Sequence, residues 1–335
     1  MNYAAIGPIA VHLPEAIETN DDLQAQFPKW DLELISSKTG VQTRHIARPD
    51  ECSSDLGVAA AEKLFADGHI DRSSIDFLLL CTQTPDYPLP TTACLMQDRL
   101  GLPTSIGALD FNLGCSGFVY GLSLAEGLIR AGSARRVLLI TAETYSKYIH
   151  PEDRSLRTIF GDAAAATLVE AAEQPSLGSF AYGTDGSAGN TLLVSSGGAR
   201  PVEQALQPSK RRRWQSPLYM DGPALVDLTL ERIPPMIERL LKQARLKPED
   251  VQLYLMHQAT EHMLSRLRDR LGVDREKLPL AMQHCGNTVS STLPIAIHDL
   301  RASGRLRPGV RSLLVGYGVG FSWAGCLWTE TWRGR

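Results

Sequence analysis

Short, almost continuous apolar runs recur along this chain, each separated from the next by a stretch of helical periodicity. The clearest are Ile75-Asp76-Phe77-Leu78-Leu79-Leu80-Cys81, Val137-Leu138-Leu139-Ile140-Thr141, Ala163 to Val169, Leu253-Tyr254-Leu255-Met256 and Ser312 to Tyr317. Runs with no polar alternation imply strands covered on both faces, which is the signature of a mainly parallel sheet in an α/β protein. The spacing predicts helices over 53–66, 91–100, 116–131, 223–244, 259–271 and 291–303. Pro85, Pro88 and Pro90 make the segment after Cys81 a loop, because proline cannot donate to a central ladder.

Each half of the chain closes in a similar way. Gly161-Asp162 leads into the strand Ala163–Glu170, and Gly320-Phe321 leads into Ser322–Thr329. Each half also has a strand-to-helix junction with a chemically able residue, Cys115 in one and His257 in the other. The chain is therefore expected to consist of two similar halves, residues 1–172 with Cys115 and residues 173–335 with His257 and Asn287, joined near 171–180.

Bulk properties narrow the function. With 335 residues the chain can bury a large core, and 37 acidic against 34 basic side chains give no reason to expect nucleic acid. No stretch approaches the length of apolar sequence that spans a bilayer, and the N-terminal residues lack the charge and apolar pattern of a signal peptide. The six cysteines are scattered without a CxxC pair, so neither a disulfide framework nor a zinc site is expected, and reduced thiols in a cytoplasm fit best. The region 183–222 is irregular. Its Lys210-Arg211-Arg212-Arg213-Trp214 reads as a solvated loop or, more sharply, as a landing place for a phosphate-bearing ligand, since Arg forks phosphates and Trp stacks on bases.

Three residues could carry chemistry. Cys115 lies where a strand-like run ending near Phe111 turns into a helix, and free N–H groups and the helix dipole there favour a thiolate. An inert, buried cysteine is the competing reading. His257 ends an apolar strand, and Asn287 follows Gly286 ahead of a helix. Each could alone be structural, a core histidine or a helix cap. As a set they are coherent: a nucleophile acylated from a thioester, with two donors for a developing enolate or oxyanion. A papain-like Cys-His-Asn hydrolase uses the same residue types, but the sequence around its cysteine differs.

Across nearly its whole length the sequence resembles the β-ketoacyl-acyl-carrier-protein synthase III family of condensing enzymes. The resemblance rests on Lys38-Thr39-Gly40-Val41 with Arg44-His45-Ile46-Ala47, Cys115-Ser116-Gly117-Phe118, Asp153-Arg154 leading to Ile159-Phe160-Gly161-Asp162, His257-Gln258-Ala259, Gly286-Asn287-Thr288, and Gly316-Tyr317-Gly318-Val319-Gly320-Phe321-Ser322-Trp323. His257 and Asn287 are 30 residues apart, a separation similar to that in the family.

The resemblance implies a thiolase-like α/β fold of two similar halves in five α/β/α/β/α layers, and a cytoplasmic homodimer. It implies a ping-pong, decarboxylative Claisen condensation: acyl-CoA loads Cys115, and a malonyl thioester, on acyl carrier protein or on coenzyme A, loses CO₂ and attacks it. No metal or resident cofactor is expected. By resemblance Cys115, His257 and Asn287 are catalytic, the backbone N–H groups of Cys115 and Val319 form the oxyanion hole, and Lys38, Arg154, Phe118, Leu89, Gly222 and Thr260 contact substrate. The Leu89 loop is expected to border the partner's acyl pocket, and Leu89, standing where some family members have a bulky phenylalanine, suggests a primer longer or more branched than acetyl. The chain departs from the family pattern at Leu34, where a tryptophan is usual and Trp30 stands close by. It also departs at Lys38, Thr260 and Val319, and in the acidic Glu261 and Asp269 among His262, Arg266, Arg268 and Arg270. Two further readings are acyl transfer to an alcohol or amine without decarboxylation, and a non-catalytic carrier-protein-binding module. Retention of Asn287 and of all three polar residues speaks against both.

Overall fold

The computed structural model describes residues 3–201, 204–208, 210 and 217–334. Arg211, Arg212, Arg213 and Trp214 of the basic run lie outside the described residues. Two sheets form the frame. The first contains β1 (Tyr3–His12), β4 (Phe77–Cys81), β5 (Gly107–Phe111), β6 (Arg136–Glu143) and β7 (Ala163–Ala172), in the order β1-β7-β6-β4-β5. The second contains β8 (Leu177–Thr184), β11 (Leu253–Met256), β12 (Arg311–Gly318) and β13 (Ser322–Thr329), in the order β11-β12-β13-β8. Each sheet is parallel at one edge, β6-β4-β5 in the first and β11-β12 in the second, and continues toward its other edge through antiparallel strands, β7 and β1 in the first and β13 and β8 in the second. The first sheet ends at Ala172 and the second starts at Leu177.

Helices α5 (Gly117–Arg130) and α9 (Thr292–Ala302) pack between the two sheets, and both touch strands of each. Helices α3 (Ser53–Gly68) and α4 (Thr92–Arg99) cover the outer face of the first sheet, and α7 (Gly222–Ala244) that of the second, with α8 (Glu261–Leu271) against α7. The result is five layers, helix-sheet-helix-sheet-helix, which is why the central strands are apolar on both sides. Phe118, Val119, Leu122, Ala125 and Ile129 bury one face of α5 completely. A large apolar side chain buried this way contributes about 1.5–3 kcal/mol. A ribbon of β2 (Ala16–Thr19) and β3 (Thr43–Ile46), the short helices α1 (Asn20–Gln26), α2 (Leu32–Thr39) and α6 (Arg154–Arg157), and a hairpin of β9 (Leu192–Val194) with β10 (Leu218–Met220) gather on one side.

Most boundaries follow local chemistry. Thr260 caps α8 by accepting from Met263 N–H, and Gly272 ends it in the left-handed conformation. Helix α7 runs unbroken through Pro234 and Pro235, held by a face that buries Leu225, Thr229, Ile233, Met236, Ile237 and Leu240. The apolar runs do not announce β1 and β8. Gly7-Pro8 sits in a bulge of β1, where the register shifts between Ile6 and Ile9, and β8 contains Ser179 at a φ of 49°. The irregular region 183–222 also holds part of β8 and the β9–β10 hairpin.

Candidate active site

Cys115, His257 and Asn287 line one cavity of about 390 Å³. Its inner wall is buried and mostly apolar, with Tyr145, Phe160, Leu192, Tyr317 and Phe321, whereas Asp227, His262 and Arg266 line its exposed side. The three polar residues come from three different junctions. Cys115 stands between β5 and α5, His257 directly after β11, and Asn287 in the loop that leads through Val289–Ser291 into α9.

The turn carrying Cys115 is pressed against the end of β12. A Cβ at Gly318 would lie 2.9 Å from Cys115 Cβ and 3.0 Å from Sγ, so only glycine admits the thiol there. Ser116 Oγ and Ser322 Oγ, 2.7 Å apart, tie the same turn to β13. Cys115 is 6% exposed. Burial, with the Glu143 carboxyl as a smaller contribution, raises its thiol well above the ordinary value. Burial therefore opposes the thiolate that the helix start beside Cys115 favours.

His257 is fixed twice. Its backbone N–H donates to Val315 O at 2.8 Å, and its Nδ1 lies 2.7 Å from Thr292 Oγ1. Tyr317 stands edge-on to the imidazole, with 5.6 Å between centroids, and its hydroxyl donates to the His257 carbonyl at 3.3 Å. Burial pushes the imidazole pKa down to about 3, so the ring is neutral at physiological pH.

Asn287 is held by its backbone and by its own amide. Asn287 N–H donates to Ile159 O at 2.8 Å, and Gly161 N–H donates to Asn287 O at 3.2 Å, forming an isolated bridge between Phe160 and Asn287. The two segments meet backbone to backbone at Gly161, whose Cβ would strike the Cys285 carbonyl. Asn287 Oδ1 accepts from Val289 N–H at 2.9 Å, which leaves the Nδ2 donors for the cavity. Val289 adopts a φ of 55°, uncommon for a β-branched residue, so the surrounding structure holds this loop against a local preference.

The other expected site residues separate. Gly222 and Thr260 line the cavity. Phe118 does not: it is buried in the core between the sheets with Val119 and Leu122, because the face of α5 that carries it turns into the central layer. Val319 is not part of the cavity lining, and Gly318 just before it is the residue against the thiol. Leu89 protrudes from its loop, 84% exposed. A second cleft of about 840 Å³ lies beside the first and shares Met220 with it. Arg154 and Trp30 line it, and Trp30 stacks on Phe27 at a centroid distance of 4.1 Å. Lys38 is exposed on α2 and lines neither space, and Leu34 is exposed too. Thr292, Tyr317 as a partner of His257, and Glu143 carry no motif of their own that would have singled them out. Among the described residues no helix is long and apolar enough to cross a membrane.

Two family models match the chain, 3-oxoacyl-[acyl-carrier-protein] synthase III over residues 109–186 and the C-terminal domain of the same enzyme over residues 241–329. The chain is 37% identical over 321 residues to the β-ketoacyl-[acyl-carrier-protein] synthase III of Nitratidesulfovibrio vulgaris, covering 94% of this chain and 96% of that protein. It is also 37% identical to the enzyme of that name from Streptococcus suis, over 97% and 98% of the two lengths. Among solved structures, a 3-oxoacyl-(acyl-carrier-protein) synthase III superposes with a TM-score of 0.92 at 48% identity, over 98% of this chain and 99% of that one. The priming β-ketosynthase of the R1128 polyketide pathway superposes with a TM-score of 0.87 at 27% identity, over 99% and 97%.

Proposed function

The chain belongs to the 3-oxoacyl-[acyl-carrier-protein] synthase III family, and from that premise we propose that it catalyses a decarboxylative condensation of an acyl-CoA with a malonyl thioester, normally malonyl-acyl carrier protein. One observation carries the assignment of roles: a thiol, a neutral imidazole and a carboxamide whose oxygen is already engaged meet at the buried wall of one apolar cavity. The fold is the thiolase-like α/β arrangement, and the enzyme is a transferase.

In the first half-reaction Cys115 Sγ attacks the acyl-CoA carbonyl, the C–S bond to coenzyme A breaks, and the thiol proton leaves with the coenzyme A sulfur. The backbone N–H groups of Cys115 and Val319 face the oxyanion in this reading. In the second, the malonyl carboxylate departs as CO₂, and its electron pair becomes an enolate on the thioester. His257 and Asn287 Nδ2 donate to the enolate oxygen, each donor being worth about 10²–10³ in rate. Thr292 Oγ1 stands 2.7 Å from Nδ1 and 3.2 Å from the Val289 carbonyl, and this mechanism turns its one proton toward Nδ1. Nε2 then carries the ring hydrogen into the cavity, which the neutral imidazole requires. The enolate carbon attacks the acyl group, the Sγ–acyl bond breaks, and the sulfur departs as a thiolate beside the N-terminus of α5. No step needs a metal or a resident cofactor.

Arg154 and the Phe27–Trp30 stack are where the nucleotide end of coenzyme A binds, with Gly222 and Thr260 along the pantetheine arm. The working form is a homodimer in the cytoplasm, in which the exposed Leu89 meets the partner's acyl pocket, and the chain divides into halves at 172 and 173. Intact-mass analysis after incubation with acetyl-, octanoyl- and longer acyl-CoA tests the assignment. A single acyl adduct lost in Cys115→Ala is expected, with a preference for chains longer than acetyl. An adduct that survives Cys115→Ala refutes the nucleophile, and a clear preference for acetyl refutes the chain-length reading.

A further inference from the structure

A second ionisable group lies buried behind the nucleophile, and the mechanism above does not use it. Glu143, the last residue of β6, is fully buried. Its Oε2 accepts from Gln83 N–H at 3.0 Å and from Thr84 Oγ1 at 3.2 Å, and its Oε1 accepts from Ser290 Oγ at 2.7 Å. All three partners are neutral, and among the described residues no cation comes within ion-pairing distance of it. Burial without a counter-charge opposes the ionised form more than these contacts favour it, and in the acid one of the hydroxyl contacts, to Ser290 or Thr84, reverses so that Glu143 donates its proton.

These contacts reach both parts of the site. Ser290 lies three residues after Asn287 in the loop that sets the carboxamide. Gln83 accepts from the Tyr145 hydroxyl at 2.5 Å, and Tyr145 lines the cavity. Cys115 is close enough for the Glu143 carboxyl to raise its thiol. The inference rests on Cys115 being the nucleophile. On this geometry we propose that Glu143 is a positioning residue that works only as the neutral acid: uncharged, it ties the Asn287 loop to Gln83 behind the nucleophile, and once ionised it holds the Cys115 thiol protonated.

The switch falls in an accessible range, because burial pushes Glu143 up to about 8. The other ionisable groups facing it are Cys81 on β4, Cys115 ahead of α5, Tyr145 and Tyr148 after β6, and Asp162 ahead of β7. The cysteines and tyrosines are all pushed upward by burial and stay neutral as Glu143 titrates. Asp162 is engaged by Ser146 and by Ala47 N–H.

The test measures iodoacetamide alkylation of Cys115, assigned by peptide mass, from pH 6 to 9.5 in wild type and Glu143→Gln. A carboxylate close behind a thiol raises its pKa by about one unit or more. Alkylation of Glu143→Gln relative to wild type should therefore be near parity at pH 6–7 and rise to about fivefold or more by pH 9. A ratio that stays constant with pH overturns the proposal, because a purely structural loss would shift all values alike. If the variant does not fold, the wild-type plot of log rate against pH decides: a shallower slope above pH 8 supports the proposal, and a straight line through that range overturns it. Acylation of Cys115 by acyl-CoA is measured on the same sample. Acylation with a flat ratio overturns this inference alone, whereas absence of acylation overturns the functional reading beneath it.

Discussion

Replacing His257 with glutamine tests the claim that the imidazole is neutral. In the unfolded chain the ring titrates near its ordinary value of 6.5, and in the folded chain burial holds it to about 3. The folded pKa of this base is depressed, so between those values the unfolded state binds more protons, and stability falls as the pH falls. At pH 7 the ring is mostly neutral in both states. At pH 5 the unfolded ring is about 1.5 units below its pKa and the folded ring is still neutral, which costs the wild type about 2 kcal/mol at 1.36 kcal/mol per unit. Glutamine keeps a donor and does not titrate, so His257→Gln removes this cost. Urea unfolding of both proteins at pH 7 and pH 5 measures it, and the gap between them should move by about 2 kcal/mol in favour of the variant at pH 5. A gap that stays the same at both pH values would mean the ring titrates alike in both states, and the neutral-donor argument would fail.

Two other substitutions have defined outcomes. Gly318→Ala puts a methyl 3.0 Å from Cys115 Sγ, so the sulfur must shift, and acylation should slow by about 10²-fold or more with the fold retained; rapid-quench mass spectrometry giving a near wild-type rate would contradict the packing described. Arg301 and Glu330 form a buried pair at 2.7 Å, with side chains 6% and 1% exposed, and Arg301 also donates to the Gly7 and Ile6 carbonyls. Arg301→Met leaves a buried carboxylate unpaired and should cost about 3–5 kcal/mol in denaturant unfolding at pH 7, while a loss under about 1 kcal/mol would show that the pair is dispensable.

The sequence was most informative where local chemistry decides the outcome. The apolar runs at Leu78–Cys81, Val137–Thr141 and Leu253–Met256 are strands because both faces are covered, and α8 begins and ends where Thr260 and Gly272 dictate. Strands β1 and β8 carry no such signal, because Gly7-Pro8 and the Ser179 conformation interrupt the pattern, and pairing with β7 and β13 completes them. At the site, Cys115, His257 and Asn287 were legible as residue types at strand ends, and the cavity brings them together. The groups that tune them were not. Thr292 is 35 residues from His257, and Ser290 is 147 from Glu143. Such long-range partners leave no periodic or spacing signal. Phe118 shows the same limit from the other side: its neighbour Cys115 lines the cavity, while the direction of α5 sends the phenylalanine into the core. The helix start at Cys115 was visible in the sequence too, but the burial that opposes it depends on layers formed by distant strands.

The central claim is that carbon–carbon bond formation is coupled to loss of CO₂ at one acyl-cysteine. A single-turnover experiment tests it most directly: acyl-loaded enzyme, freed of excess acyl-CoA, is mixed with malonyl-acyl carrier protein carrying a labelled free carboxyl. The prediction is one CO₂ and one 3-oxoacyl thioester for each acyl-Cys115 consumed, with both products suppressed together in Asn287→Ala. Transfer of the acyl group to a nucleophile with the labelled carboxyl still in place would contradict the account.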